Sequence, residues 1–221
     1  SVTGSSGSAL VLQPSAAGNA IRLGDTADSG GALDLTDADL ASLASSLGSI
    51  TIGRADGTHA ITALSSDFRS ATLIRTPLGG TISVDGRIFG ENAATAITLD
   101  GSGATTTLNA DIVTAGADIT ISDTVILGTA LSGNLATLDT TNAGDVATGA
   151  DVTITGTVSA ATDGVQGLSI AAGSGGTVDL RDTIGPALAR VGSFAITSAA
   201  AADLPAINAA AGGISLTGGT F

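Results

Sequence analysis

The sequence predicts an all-β protein, a right-handed parallel β-helix (β-solenoid) with short helical excursions. A short phrase recurs, in which two apolar residues flank one small polar residue and a turn residue follows, as in Ile82-Ser83-Val84-Asp85-Gly86 and Ile97-Thr98-Leu99-Asp100-Gly101. Each phrase is typical of a strand of about three to five residues with its apolar side chains on one face. The composition is 43% hydrophobic but only 2% aromatic, so aliphatic side chains must fill a narrow interior almost alone. A chain that repeats one short strand unit favours a stack of coils.

Strand candidates are spread along the whole chain and are joined by Gly, Asp, Asn, Ser and Thr, the residues that form turns. Short strands at this spacing also fit an antiparallel sandwich, but a sandwich does not require the sequence to repeat. This chain does repeat, since residues 80–90 resemble 176–185 and residues 97–121 resemble 168–196. The candidates are 9–12, 20–23, 32–35, 49–52, 59–62, 71–74, 80–84, 95–99, 105–108, 118–121, 124–127, 135–138, 151–154, 167–170, 177–180, 193–196 and 213–216.

The phase of the repeated phrase also predicts which side chains face the interior. We expect buried aliphatic ladders from the apolar positions and outward-facing side chains at the middle positions. The buried set is Ile82, Val84, Ile97, Leu99, Leu108, Ile119, Ile121, Ile154, Leu168, Ile170, Val178 and Leu180. The outward set is Ser83, Thr98, Thr120, Thr153, Ser169 and Asp179.

The size of the stack follows from the length of a repeat. With coils of roughly 20 residues and about 4.8 Å between strands, the chain makes about ten coils and a rod about 50 Å long. The coils should be right-handed, as parallel crossovers are. We interpret residues 1–221 as a single β-solenoid domain, a fragment of a longer protein.

Two segments interrupt the strand pattern. Thr36 is placed as a helix N-cap with Asp39 three residues later, and Leu40, Leu43 and Leu47 have helical spacing. This predicts one or two helical turns lying over the solenoid. The Ala-rich segment 197–211 predicts a second helical excursion, limited by Pro205.

Charge excludes some partners. The net charge is −13, with seven Arg and no Lys, whereas nucleic-acid binding needs clustered cations. No segment approaches the roughly 20 apolar residues that cross a bilayer. We therefore expect no nucleic-acid partner and no membrane insertion of this segment.

The inventory of reactive side chains predicts no catalytic, cofactor or metal site. His59 is the only histidine, and nothing in the sequence places a nucleophile beside it. Asp residues sit next to Gly in turns, where their side chains bond the local backbone. The acidic turn 24–31 matches no calcium-binding loop pattern. The Gly-rich stretch 171–176 lacks the Lys-Ser/Thr ending of a phosphate loop. A receptor should therefore contact one of the longer loops, 24–31, 53–58, 139–150 or 198–212, and deletion of 141–148 should leave the fold intact.

Several phrases resemble the repeats of filamentous-haemagglutinin-like exoproteins. They lie between residues 35 and 89 and between 96 and 121, among them Leu35-Thr36-Asp37-Ala38-Asp39-Leu40 and Gly79-Gly80-Thr81-Ile82-Ser83-Val84. The resemblance implies a right-handed parallel β-helix and export by a type V-like route through an outer-membrane transporter. It also implies a place as adhesin or stalk, secreted or at the bacterial cell surface. The family's N-terminal secretion domain is not recognisable in this sequence.

The resulting expectation is a non-enzymatic structural or adhesive segment that contacts a receptor or glycan on a host or neighbouring cell. A carbohydrate-active β-helix enzyme is the first alternative, and a surface-layer or ice-binding solenoid is the second. An enzyme needs converging carboxylates; three or more facing one cleft would favour it. Ice binding needs a regular Thr ladder, and Thr72, Thr81, Thr98, Thr106 and Thr107 are unevenly spaced.

Overall fold

Three parallel β-sheets wind along the molecule and make it a parallel β-helix. The computed structural model describes residue 2 and residues 7–26, 32–101 and 103–221. Within these residues, all pairings between named strands are parallel, and the register shifts within the β18–β20 and β20–β22 pairs. The all-β, parallel-solenoid prediction is confirmed, and the right-handed sense of the coils stays a prediction.

Most coils contribute one strand to each of the three sheets. Sheet 1 contains β1 (Ala9–Leu12), β4 (Ser49–Ile52), β7 (Ala71–Arg75), β10 (Ile97–Asp100), β13 (Ile119–Ile121), β16 (Val152–Ile154), β19 (Thr177–Leu180) and β21 (Ala201–Asp203). Sheet 2 contains β3 (Leu33–Leu35), β2 (Ile21–Leu23), β5 (Ala60–Ala63), β8 (Thr81–Val84), β11 (Thr105–Leu108), β14 (Thr124–Leu127) and β17 (Val158–Ala160). Sheet 3 contains β6 (Ser66–Phe68), β9 (Ile88–Gly90), β12 (Ile112–Thr114), β15 (Leu135–Asp139), β18 (Gly167–Ala171), β20 (Val191–Ser198) and β22 (Ala209–Leu216). From β4 to β18 the strands enter sheets 1, 2 and 3 in turn, so that one coil contributes one strand to each sheet, whereas β2 and β3 both lie in sheet 2 and the strands after β18 lie in sheets 1 and 3.

The coils are longer and fewer than the sequence predicts. Ile97 pairs with Ile119, 22 residues further on, and Ile119 pairs with Val152, 33 residues further on. Sheet 1 has eight strands among the described residues, so the stack is about 34 Å long at about 4.8 Å per strand. The expectation of ten coils and 50 Å is wrong because a coil holds three strands and three turns.

Five strands, β6, β9, β12, β17 and β21, were not predicted, and three of them belong to sheet 3. Their inward positions explain the omission. Ser66, Gly90 and Thr114 are buried where the repeated phrase has an aliphatic residue. Ser66 Oγ donates to the Leu64 carbonyl at 3.0 Å, and Thr114 Oγ1 donates to the Ala117 carbonyl. These hydroxyls turn the chain at a corner, so the segments lack the alternation that marks a strand.

The predicted ladders are confirmed. Each of the twelve residues assigned to the interior is buried, at 3% exposure or less. The six middle residues are half-buried on the outer faces. Ile121, for example, is flanked in register by Leu99 and Ile154. Full burial of one such side chain contributes roughly 1.5–3 kcal/mol, and the ladder repeats this contribution in every coil.

A short helix covers the N-terminal end of the core, as predicted. Helix α1 (Asp37–Ala41) begins with a capping box, in which Thr36 Oγ1 accepts from the Asp39 amide and Asp39 Oδ2 accepts from the Thr36 amide at 3.0 Å. Leu40, Leu43 and Leu47 are all buried. The helix packs against β3 and β6, so it seals the end of the stack where no earlier coil contributes a ladder.

The second predicted helical excursion is wrong. Residues 197–211 contain β21 and the start of β22, which extend sheets 1 and 3. Alanine has the highest intrinsic helix propensity, but tertiary context readily overrides propensity, and here the strands of the preceding coil offer backbone partners. Ile214 of this last coil remains 49% exposed, so its ladder is covered on one side only.

Some aspartates bond locally, as Asp145 does with Asn142, but others at the corners bond to neighbouring coils, which the sequence did not predict. Asp111 Oδ1 accepts from the Thr137 amide and Asp151 Oδ1 from the Thr177 amide, each at 2.7 Å. Asp123, at 2% exposure, accepts from the Gly101 amide and from Thr106 Oγ1, each at 2.7 Å. Polar corner residues therefore hold one coil to the next.

Replacing Ile121 with Asp tests the ladder. The substitution buries a charge without a partner, so we expect the free energy of unfolding in urea to fall by more than about 4 kcal/mol. Ile121→Val should cost only about 0.5–1.5 kcal/mol. Thr120→Asp, on the outer face of the same strand, is the matched control. Equal effects of Ile121→Asp and Thr120→Asp would show that the strand phase is wrong.

Replacing Thr106 with Val tests the bond between coils. The shape is kept while the buried Asp123 carboxylate loses one donor, so we expect a loss of about 1–3 kcal/mol in the free energy of unfolding. Thr107→Val, one position along on the outer face, should change it by less than about 0.5 kcal/mol. Similar losses for the two variants would contradict a special role for the Asp123 contact.

Candidate functional site

The four loops predicted as receptor contacts have different conformations in the structure. In 24–31, residues 27–31 lie outside the described residues, and Asp25 pairs with Arg22 at 2.5 Å. Loop 53–58 is a tight turn in which Arg54 holds Asp56 through two bonds, of 2.7 and 2.9 Å. Segment 198–212 is largely strand, so that assignment is wrong. Loop 139–150 is a well-defined protrusion between β15 and β16.

A buried carboxylate organises loop 139–150. Asp139, the last residue of β15, is 8% exposed. Its Oδ1 accepts from the amide and the hydroxyl of Thr141, both at 2.6 Å, and its Oδ2 accepts from the Ala143 amide at 2.7 Å. Thr140 Oγ1 and the amide of Ala150 close the base of the loop at 2.9 Å. The loop therefore has one defined conformation.

The tip of the loop carries unusual backbone conformations. Asn142, Ala143 and Gly144 follow one another with φ of 50°, 58° and 96°, and alanine rarely adopts such values. Ala143, Gly144 and Asp145 are exposed, as are Ala147 and Thr148. Left-handed conformations of non-glycine residues are often found at functional sites.

The loop is also bonded to the coils on both sides. The Gly116 amide donates to the Thr140 carbonyl at 2.9 Å. The amides of Ser174 and Gly175 donate to the carbonyls of Ala147 and Thr148, at 2.9 and 2.8 Å. Deletion of 141–148 would remove the bonds to Ser174 and Gly175 and the donors to Asp139. The expectation that this deletion leaves the fold intact conflicts with that geometry, so point substitutions at the tip are the better probe.

A second feature is a groove between α1 and the first strands of sheet 3. Its lining includes the carboxylates of Asp37, Asp67 and Glu91, together with Arg69. Glu91 pairs with Arg69 at 3.0 Å, and Asp67 pairs with Arg87 at 3.5 Å. No pattern in the sequence predicts this groove. Its carboxylates come from three coils, and two of them lie on or beside the unpredicted strands β6 and β9.

His59 is buried, at 1% exposure. The partners of its ring nitrogens are the backbone carbonyls of Ala17 and Arg75. This geometry gives the ring a structural place in the turn before β5 rather than a place beside a nucleophile.

The threonines considered for ice binding do not form one surface. Thr72 and Thr106 are buried, while Thr81 and Thr98 lie on different sheets. The structure does align a shorter row on sheet 2, in which Thr105 pairs in register with Thr81 and Thr124.

Hydrogen bonds lower the pKa values of three exposed carboxylates away from the loop tip and the groove, two of them through an arginine. Arg190 holds the pKa of Asp163 below its ordinary value, first through its side chain, which bonds the carboxylate at 2.8 and 3.1 Å, and then through its amide. Arg54 does the same for Asp56. The pKa of Asp182 is lowered first by the Thr183 amide and then by the Thr157 hydroxyl.

Among the residues that the structure describes, no group of three or more His, Cys, Asp or Glu side chains is arranged to hold a metal ion. In the same residues no helix has the length and apolar content that a membrane crossing requires. The expectations of no metal and no cofactor stay predictions.

Comparisons of the chain with family models, curated proteins and solved structures give no match. The resemblance to filamentous-haemagglutinin-like repeats therefore stays a prediction from the sequence phrases.

Replacing Ala143 with Gly tests the strain at the loop tip. Glycine adopts a positive φ without steric cost, so we expect the free energy of unfolding to rise by about 0.5–1 kcal/mol. Ala147→Gly, in the same loop but without a positive φ, should lower it by a similar amount. A loss of stability in Ala143→Gly would contradict the left-handed conformation.

Lowering the pH tests the Asp163–Arg190 pair. Because the pKa of Asp163 is lower in the folded chain, the pair stabilises above the carboxylate's ordinary pKa of about 3.9 and is lost as pH falls through the folded value. We expect Asp163→Asn to weaken the loss of stability below about pH 4, measured as the urea midpoint against pH. An unchanged acid profile in Asp163→Asn would contradict the assignment.

Proposed function

We propose that this chain is a non-enzymatic structural and adhesive segment of a large secreted or surface-exposed bacterial protein. The observation that carries the proposal is the continuous stack of coils. Its apolar residues form the interior ladders, and its corner Asp, Asn and Thr residues bond coil to coil. Such a stack holds surface loops on a rigid, quasi-one-dimensional support.

Loop 139–150 is the contact site in this proposal. Asp139 and the bonds to 116 and 174–175 fix the loop, so a partner meets a surface that is already ordered. The exposed tip offers small polar residues and backbone groups, which suit a glycan or a receptor loop. The acidic surface of the chain disfavours polyanionic partners.

The proposed cellular location rests on the sequence phrases that resemble filamentous-haemagglutinin-like repeats. They favour export by a type V-like route through an outer-membrane transporter and a location outside the bacterial cell. The low content of exposed basic residues agrees with a partner that is neither nucleic acid nor an anionic membrane surface.

Binding of the labelled chain to host cells and to a glycan array tests the proposal. Ala147→Arg and Thr148→Arg place bulk at the tip, and Ser132→Arg places it on another exposed turn as the control. We expect at least a tenfold loss of binding in the two tip variants only, with unchanged circular dichroism in all three. Binding that the tip variants do not affect would contradict the loop assignment, and no binding by the parent chain would contradict an adhesive function.

The carbohydrate-active enzyme is a second candidate, and the groove beside α1 is the observation that favours it. Asp37, Asp67 and Glu91 meet the condition of three carboxylates on one groove, although Arg69 and Arg87 pair with two of them. A screen of polysaccharides for new reducing ends or unsaturated products tests this candidate. Turnover that is lost in Glu91→Gln and Asp67→Asn would replace the non-enzymatic proposal.

A further inference from the structure

The outer face of sheet 2 carries two rows of outward side chains, most of which bear a hydroxyl group. Because the strands from β5 to β17 pair without a register shift, each outward residue lies beside its counterpart in the next coil. The Val125 amide bonds to the Thr157 carbonyl at 2.8 Å, and the Val158 amide bonds to the Thr183 carbonyl at 3.1 Å, which extends one row by two coils. The first row is Ala60, Thr81, Thr105, Thr124, Thr157 and Thr183, and the second is Thr62, Ser83, Thr107, Ile126 and Ser159.

The backbone fixes the spacing of this hydroxyl array. Neighbouring coils are about 4.8 Å apart, and two outward residues of one strand are about 6.6 Å apart. From β5 to β17 the array is therefore about 19 Å long. A β-branched threonine has a restricted χ1 torsion, so its hydroxyl and methyl groups are held in position before a ligand arrives. Few side-chain rotamers remain to be ordered on contact, which favours binding.

The fold leaves most of these hydroxyl groups unused. Ser83 and Thr157 bond to the nearby carboxylates of Asp85 and Asp182. The buried Thr76 bonds to a backbone carbonyl at 2.8 Å, so its hydroxyl group serves the fold. Within the described part of the chain, five hydroxyl groups of the array have no hydrogen-bond partner in the protein, those of Thr62, Thr81, Thr105, Thr107 and Thr124.

The hydroxyl array is also uncharged, although the chain has a net charge of −13. None of the outward residues of β5, β8, β11, β14 and β17 is ionisable. The outer face of sheet 1, in contrast, includes Arg75, Asp100 and Asp179. A charged group would orient the water around itself. On this face each hydroxyl offers one donor and two acceptor positions, so the pattern of hydroxyl groups determines where water is held.

The ligand that suits such a face is itself uncharged and periodic. A small-molecule site is concave and lined mainly by apolar and aromatic side chains, whereas the array lies on the outside of a sheet and contains no aromatic residue. A charged partner would meet no group of opposite charge. Ice carries no net charge, repeats its oxygen atoms in two dimensions and exchanges hydrogen bonds with hydroxyl groups. It would gain contacts from every coil of the array.

We propose that the outer face of sheet 2 binds ice. The free threonine hydroxyl groups bond to water molecules of the crystal surface, and the threonine methyl groups exclude disordered water between them. This activity is separate from adhesion through loop 139–150, which joins β15 of sheet 3 to β16 of sheet 1 and so lies away from sheet 2.

Thermal hysteresis, together with partition of the labelled full chain into a slowly growing ice crystal, tests the proposal. We expect the parent chain to enter the ice and to lower the freezing point below the melting point. Thr105→Arg and Thr124→Arg place bulk and charge in the middle of the array, so both activities should be lost. Thr120→Arg, on the outer face of sheet 1, and Ala147→Arg, in loop 139–150, are the controls and should match the parent. Circular dichroism should be the same for all four variants.

Thr107→Val adds a variant that keeps the shape of the side chain and removes one hydroxyl group. Its stability should match that of the parent, so it tests the hydroxyl pattern even if an arginine variant does not fold. We expect a smaller gap between its freezing and melting points. An unchanged gap would contradict the use of the hydroxyl groups.

Exclusion of the parent chain from ice would overturn the proposal. Parent-like activity in both Thr105→Arg and Thr124→Arg, or a loss of activity in the two controls, would also overturn it. Binding to crystalline cellulose or chitin that Thr105→Arg abolishes, with no effect on ice, would assign the face to a polysaccharide instead. A parent dimer that Thr105→Arg dissociates, again with no effect on ice, would show that a second copy covers the face. Neither of the last two results depends on loop 139–150, so each is distinguishable from failure of the adhesive function.

Discussion

The structure depends on one constraint, the requirement that every coil place its inward side chains directly over those of the coil before it. Parallel pairing of the strands in register places each inward side chain over its counterpart in the preceding coil. Thr98 lies between Leu73 and Thr120, and the flanking Ile97 and Leu99 fall on Ile119 and Ile121. A shift of one residue would turn an entire ladder outwards. The chain can therefore vary its loops but not the phase of its strands.

Polar groups at the corners fix the position of each coil relative to the next, which the aliphatic ladders alone do not. A stack of aliphatic side chains resists sliding weakly, because its contacts have no direction. The Asp123, Asp151 and Asp163 carboxylates accept bonds from particular donors of neighbouring coils, and these bonds fix the corners. The His59 ring contributes in the same way, since its nitrogens contact the carbonyls of Ala17 and Arg75 in the coils on both sides. At Asp139 the same chemistry holds an inserted loop in one shape.

The sequence predicts the strands of sheet 1 other than β21, and the buried phase, because their apolar residues alternate with polar ones over a full strand. It does not predict three of the seven described strands of sheet 3, where Ser66, Gly90 and Thr114 take inward positions at tight corners. The capping box at Thr36 and Asp39 is local, so sequence is sufficient to place it. The groove beside α1 is lined by residues from three coils. Which residues of different coils become neighbours depends on the length of each coil, and the sequence did not predict that length correctly. In segment 197–211 the sequence predicts a helix where the structure has strands. The helical preference of its alanines is outweighed by pairing with the strands of the preceding coil.

The central claim is that successive strands of sheet 1 are neighbours in space at a constant spacing. Spin labels at the outward position Thr51, paired in turn with Thr153, Asp179 and Asp203, measure this by pulsed electron paramagnetic resonance. The parallel β-helix predicts backbone separations of about 19, 24 and 29 Å, rising by about 4.8 Å per coil. Separations that do not rise in this order would contradict the parallel β-helix. So would two steps that differ from each other by more than about one strand spacing.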